Sequence, residues 1–199
     1  MATTTRSATS DAILGAARAC LLEAGFAALT TRKVAESAGV PLSQIHYHFG
    51  SKEALVLQLL QAETHRLLDR QGKLFAREIP LSQRWAVACD YLDADLASGY
   101  VRVLQEMLAA GWSSEAIGGQ VQAVLNGWTG LILDLVHDAE VLGIQFGALS
   151  ARDVAALVAA AFTGAEAMIL LGLESDDMPL RGALRRIGTT LEAFEGGLR

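Results

Sequence analysis

The sequence lacks most of what staples or anchors a chain. Only two cysteines occur in 199 residues, Cys20 and Cys89, and they form no CxxC and no Cys/His cluster. That argues against a disulfide scaffold and a structural zinc site. Both fall on apolar helical faces and read as small buried hydrophobes. The three prolines, at 41, 80 and 179, each sit at a helix boundary rather than inside an apolar repeat. Residues 1–10 are small and polar, without the apolar core of a secretory signal. No uncharged run reaches the ~20 residues of a membrane span. The longest apolar stretch, Val154 to Leu173, is cut by Glu166 into 12 and 7 uncharged residues. No nucleophile elbow, phosphate loop or HExxH is present. The expectation is a soluble, cytoplasmic, non-enzymatic chain with no membrane partner, no metal and no cofactor.

Positive charge is also scarce, since the net charge is −6. The deficit is not uniform. Residues 1–55 carry five Lys/Arg against four Asp/Glu, and residues 56–199 carry eleven against eighteen. The acidic excess belongs to the larger C-terminal part. A local positive surface at the N-terminus is enough to meet phosphates, so total charge does not exclude a nucleic-acid partner.

What is abundant is helix. Apolar residues recur at helical spacing, and no stretch shows the alternation of a strand bounded by hairpin turns. An all-α fold of about nine helices is expected. The first spans about 11–24 along Ile13, Ala17, Cys20, Leu21 and Ala24, capped by Ser10 and ended by Gly25, after a flexible tail at 1–9. The second starts near Thr30 or Thr31 and stops at Gly39. The third runs from about Leu42 to Phe49 and stops at Gly50. A long fourth is capped by Ser51 and reaches roughly Leu74. Five more are expected near 81–97, 100–110, 114–138, 151–173 and 180–195.

Three short helices broken by single glycines make a helix-turn-helix, with Gly39 at the turn where a positive φ is favoured. In the third helix Ile45 and Phe49 face the core, while Leu42, Ser43 and Gln44 lie in its first turn. Such a helix fits the major groove and offers its first turns to base edges. Thr30 and Thr31 open the second helix, whose N-terminus attracts anions. Arg32, Tyr47 and Lys52 flank it with further phosphate donors. Histidines 46 and 48 are two apart and do not share a helix face, which argues against a metal pair.

Residues 30–55, TTRKVAESAGVPLSQIHYHFGSKEAL, resemble the DNA-binding signature of the tetracycline-repressor-like (TetR) family. The Thr-Arg start, the Ala-Gly-Val turn, the aromatic-rich end and the Ser-Lys-Glu-Ala-Leu opening of the fourth helix carry the resemblance. It implies DNA contacts at Thr31, Arg32, Leu42, Ser43, Gln44, His46, Tyr47 and Lys52. Three positions depart from the family pattern, one of them Gln44, which stands where a small residue is often found. His46 stands where Tyr is usual. Leu42 stands where polar or basic residues are common, and it offers a thymine methyl or a sugar only an apolar contact. Gln44 suits adenine.

The resemblance also implies a helix-turn-helix domain at 10–55 and a ligand-binding and dimerisation domain at 56–199. The expected function is a dimeric, ligand-responsive repressor on a palindromic operator in double-stranded DNA. The helix at 151–173 is dense in Ala and Gly and apolar nearly all round, so it must be covered on all sides. Together with the helix near 180–195 it can form a four-helix interface between two subunits. For a small apolar or amphipathic ligand, Tyr91, Met107, Trp112 and Trp128 are the leading wall residues, since aromatics supply flat apolar surfaces. The alternative is a DNA-binding regulator without a small-molecule effector, controlled by a protein partner.

Overall fold

The computed structural model describes residues 2–197, with side chains from 8 to 196. Among these residues there are nine helices and no strand. They are α1 (Ala2–Ala28), α2 (Thr31–Ser37), α3 (Leu42–Phe49), α4 (Lys52–Phe75), α5 (Leu81–Ser98), α6 (Tyr100–Gly111), α7 (Glu115–Val141), α8 (Ala151–Leu170) and α9 (Leu180–Gly197). The expected all-α architecture holds, with boundaries that differ by a few residues except at the start. There α1 begins at Ala2, so residues 2–9 are helical rather than a tail, and Ser10 lies inside the helix rather than at its cap. Neither Gly nor Pro occurs between residues 2 and 14, so nothing local stops the helix. Met1 lies outside the described residues.

Gly25 interrupts α1 with φ 76° and ψ 170°. That combination is open essentially to glycine alone. The chain therefore turns there, and Phe26–Ala28 form a separate short turn leading to α2.

The chain divides into two compact units. The first comprises the residues up to 65 together with 102–122, and the second comprises 66–101 and 123–199. The first is larger than the expected segment 10–55 because parts of α6 and α7 pack onto it. Its core joins Ile13, Ala17 and Leu21 of α1 to Val34, Ile45 and Leu55 of the next three helices, all below 1% exposed. The α1 stripe stops at Leu21, since Cys20 is half-buried and Ala24 exposed. Arg18 and Glu63 pair at 3.6 Å between α1 and α4. Ser114 Oγ donates to Glu53, and Gln61 Nε2 donates to Gln120 Oε1 at 3.1 Å.

In the second unit α5 packs chiefly on α9. Trp85 is buried between them and donates Nε1–H to the Leu184 carbonyl at 2.7 Å. Its ring meets Phe162 of α8 edge-on at 5.5 Å. Arg185 reaches Asp90 and Asp93, and Arg181 reaches Asp93. Pro80 precedes α5 and has no side-chain acceptor to offer its first turn. Glu195, near the end of α9, supplies one instead: it accepts from the Leu81 N–H and the Ser82 hydroxyl. A carboxylate there also meets the positive end of the α5 dipole. Ser150 and Asp153 form a reciprocal capping box at the start of α8.

α8 is the one described helix long and apolar enough to cross a membrane, yet only 17% of its apolar window is buried within the chain. Leu157 is 59% exposed, and Phe194 of α9 is 52% exposed. The chain alone leaves this apolar surface uncovered.

Candidate nucleic-acid interface

The helix-turn-helix forms because its stop and start signals are local. Thr30 adopts an extended conformation, and its hydroxyl accepts from Lys33 N at 3.2 Å, capping α2. Gly39 takes φ +65°, the expected left-handed turn. Ser51 Oγ accepts from Ala54 N at 3.1 Å and caps α4. Ile45 and Phe49 anchor α3 in the core, and this sets which face of the helix looks outward.

That outward face carries Ser43, His46 and Tyr47, all exposed, with Tyr47 at 64%. Leu42 and Gln44 are half-buried. On α2, Arg32 is exposed and Thr31 half-buried. Five of the eight expected contact residues thus lie on α3, three of them exposed, with Lys52 at the start of α4 and Thr31 and Arg32 on α2. His46 Nδ1 lies 3.0 Å from the Gly50 carbonyl. A carbonyl only accepts, so Nδ1 carries the proton, and in the neutral ring Nε2 is left with a lone pair. Tyr47 and His48 stack edge-on at 5.2 Å.

Lys52 is placed differently from a simple phosphate donor. Its Nζ donates to the Phe26 carbonyl at 2.7 Å and sits 4.3 Å from the Phe26 ring centroid. Burial lowers its pKa below the ordinary lysine value. Two of its three N–H bonds remain for a phosphate. Sequence reasoning did not single out Glu106, which reaches the same residue from α6: its Oε2 accepts the Phe26 N–H at 3.1 Å. Nothing local marks Glu106, since its partner is 80 residues away.

The four expected ligand residues do not gather in one place. Met107 is fully buried and Trp112 is 82% exposed, and both belong to the first unit. Tyr91 and Trp128 both pack against the main core of the second unit. Trp128 stacks on Phe75 at 6.2 Å and meets Phe162 edge-on at 5.8 Å. Tyr91 lies under the Arg70 guanidinium at 4.1 Å, and Arg70 in turn pairs with Asp95. The second unit also has two open surface grooves of about 410 and 390 Å³ flanking Pro80, and neither is lined by these four residues. Gln71 of α4 is 5% exposed, and its Oε1 is buried without a partner. Among the described residues no three His, Cys, Asp or Glu side chains gather as metal ligands.

A helix-turn-helix with its third helix presented outward defines a DNA-binding transcriptional regulator. Residues 13–59 match the family profile described as bacterial regulatory proteins, tetR family. Solved structures share the fold along nearly the whole chain. A TetR-family transcriptional regulator from Agrobacterium tumefaciens is 20% identical, with TM-score 0.76, covering 94% of this chain and 98% of that one. The fatty acid degradation regulator FadR from Bacillus halodurans is 18% identical, with TM-score 0.75, covering 92% and 94%. The regulator FadR from Bacillus subtilis, solved in complex with stearoyl-CoA, is 14% identical, with TM-score 0.71, covering 89% and 96%. A sequence comparison with curated proteins finds no match.

Proposed function

We propose that the chain is a cytoplasmic repressor that binds a palindromic operator as a homodimer and releases it when a small apolar or amphipathic molecule binds its C-terminal domain. The observation that carries the DNA half is the split of α3: Ile45 and Phe49 buried, Ser43, His46 and Tyr47 exposed. In this reading Ser43 and Gln44 meet base edges. Thr31, Arg32, Tyr47 and Lys52 position the head on phosphates, His46 offers its Nε2 lone pair to a donor on the DNA, and Leu42 makes an apolar contact. The homodimer is supported by the uncovered apolar face of α8 and α9, which a symmetric partner would bury. Two heads on one dimer fit half-sites about 34–36 Å apart.

For the ligand, the buried orphan acceptor of Gln71 is the supporting feature, because an unpaired buried acceptor is costly unless something donates to it. FadR from Bacillus subtilis is a case in which the same fold holds an amphipathic acyl molecule. Selection of bound duplexes from a random pool tests the DNA half. An enriched inverted repeat, lost with Arg32→Ala and Tyr47→Ala, is expected, and enrichment of no sequence refutes it. Stearoyl-CoA titrated against the protein–DNA complex tests the ligand half. Release at micromolar concentrations supports an acyl effector, and full retention excludes one.

A further inference from the structure

The link between α1 and α2 is held from outside by two other helices. Beyond Gly25 the chain has left the α1 hydrogen-bond ladder, so the Phe26 N–H has lost its helical acceptor. Glu106 of α6 takes that N–H, and Lys52 of α4 takes the carbonyl of the same residue. Both bonds are charge-assisted, the stronger kind. The fit is close: a Cβ on Gly25 would lie 3.0 Å from Glu106 Oε1. Phe26 is thus gripped at both ends of its backbone and across its ring, five residues before α2 begins.

We propose that Glu106 is a positioning residue for DNA reading, fixing through Phe26 the direction in which the chain arrives at α2 and α3. The inference rests on α2 and α3 being the reading head. Glu106 is an anion and would not neutralise a phosphate. Losing it would leave every contact side chain in place and loosen the frame that presents them. DNA would then have to order that frame on binding. Affinity falls as a result, while the number of counterions released stays the same. This combination separates a positioning role from a contact role.

The test uses the full chain and a fluorescein-labelled duplex taken from the wild-type selection, with anisotropy titrations across a range of salt. Glu106→Ala is expected to bind about tenfold more weakly, with the wild-type salt slope. Glu106→Gln keeps an acceptor oxygen for the Phe26 N–H and is expected to stay within about twofold of wild type. Amide hydrogen exchange on the DNA-free protein should show Phe26 protected in wild type and Glu106→Gln, and unprotected in Glu106→Ala. Wild-type affinity in Glu106→Ala overturns the inference. So does a Glu106→Gln variant that binds no better than Glu106→Ala. A slope that falls by about 0.9, one phosphate contact, also overturns it. Should Glu106→Ala fail to fold, an unprotected Phe26 amide in wild type or a tenfold loss in Glu106→Gln refutes it. A wild-type protein that selects no DNA refutes the reading of the head itself, whereas equal binding by all three proteins refutes only the role of Glu106.

Discussion

Replacing Leu157 with Ala tests whether α8 is covered by a second copy of the chain. Leu157 is 59% exposed in the single chain. Fully burying a leucine contributes about 1.5–3 kcal/mol, so covering the exposed part contributes about 1–2 kcal/mol. A two-fold interface contains the residue twice, which makes about 2–4 kcal/mol per dimer. The dimer Kd should therefore rise roughly thirtyfold to several hundredfold. Because the side chain is exposed within its own chain, the stability of the monomer should change by no more than about 0.5 kcal/mol. Sedimentation equilibrium over a dilution series measures the first quantity, and urea unfolding of the dissociated chain measures the second. Val141, at the end of α7, is more exposed still at 86%. Val141→Ala should leave the dimer Kd unchanged, which distinguishes a specific α8 surface from general stickiness. A Leu157→Ala dimer as tight as wild type would refute the reasoning, as would a wild-type chain that stays monomeric at tens of micromolar.

Three further outcomes follow from the geometry. Gly25→Ala forces a Cβ into a conformation only glycine tolerates and against Glu106, so it should cost about 1–3 kcal/mol; an unchanged urea midpoint would contradict this. Burial pushes the Cys89 thiol up to about 11, against the pull of Arg185. At pH 8 the folded protein should therefore alkylate at half-buried Cys20 well before Cys89, and equal rates at the two sites would contradict that. Burial also raises the Asp95 pKa, and the hydrogen bond and charge of Arg70 offset this only in part. A raised carboxyl contributes stability that is complete below the ordinary carboxylate range and is lost as pH rises through the raised value. Relative to Asp95→Asn, wild type should gain stability as pH falls through the window just above that range, and a flat or opposite difference in denaturation midpoint would exclude it.

The helix-turn-helix was readable in the sequence because each of its signals acts within four residues. Thr30 and Ser51 cap the helices they precede, and Gly39 makes the turn the spacing requires. The start of α1 was misplaced for the converse reason: Ser10 is a good cap, but the residues before it are equally compatible with helix, and the helix runs through. Side-chain partners far apart in sequence left no trace. No periodicity links Glu106 to Phe26 or Glu195 to Leu81. The aromatic residues show the same limit. Composition nominated Trp112 and Trp128 alike, but one ended in solvent and the other in a stack with Phe75 and Phe162. Which large side chains meet is decided by packing between helices, and a single sequence does not encode that locally.

The cap that Glu195 places on α5 has a consequence for the order of synthesis. Leu81 leaves the ribosome 114 residues before its hydrogen-bond acceptor. At about 5–20 residues per second, the gap lasts roughly 6–23 s. Through that interval α5 has neither a side chain to close its first turn nor α9 to cover Trp85, so the second unit cannot finish folding from its N-terminal side. A translational pause between residues 98 and 180 would lengthen the time the nascent chain spends with its central tryptophan exposed.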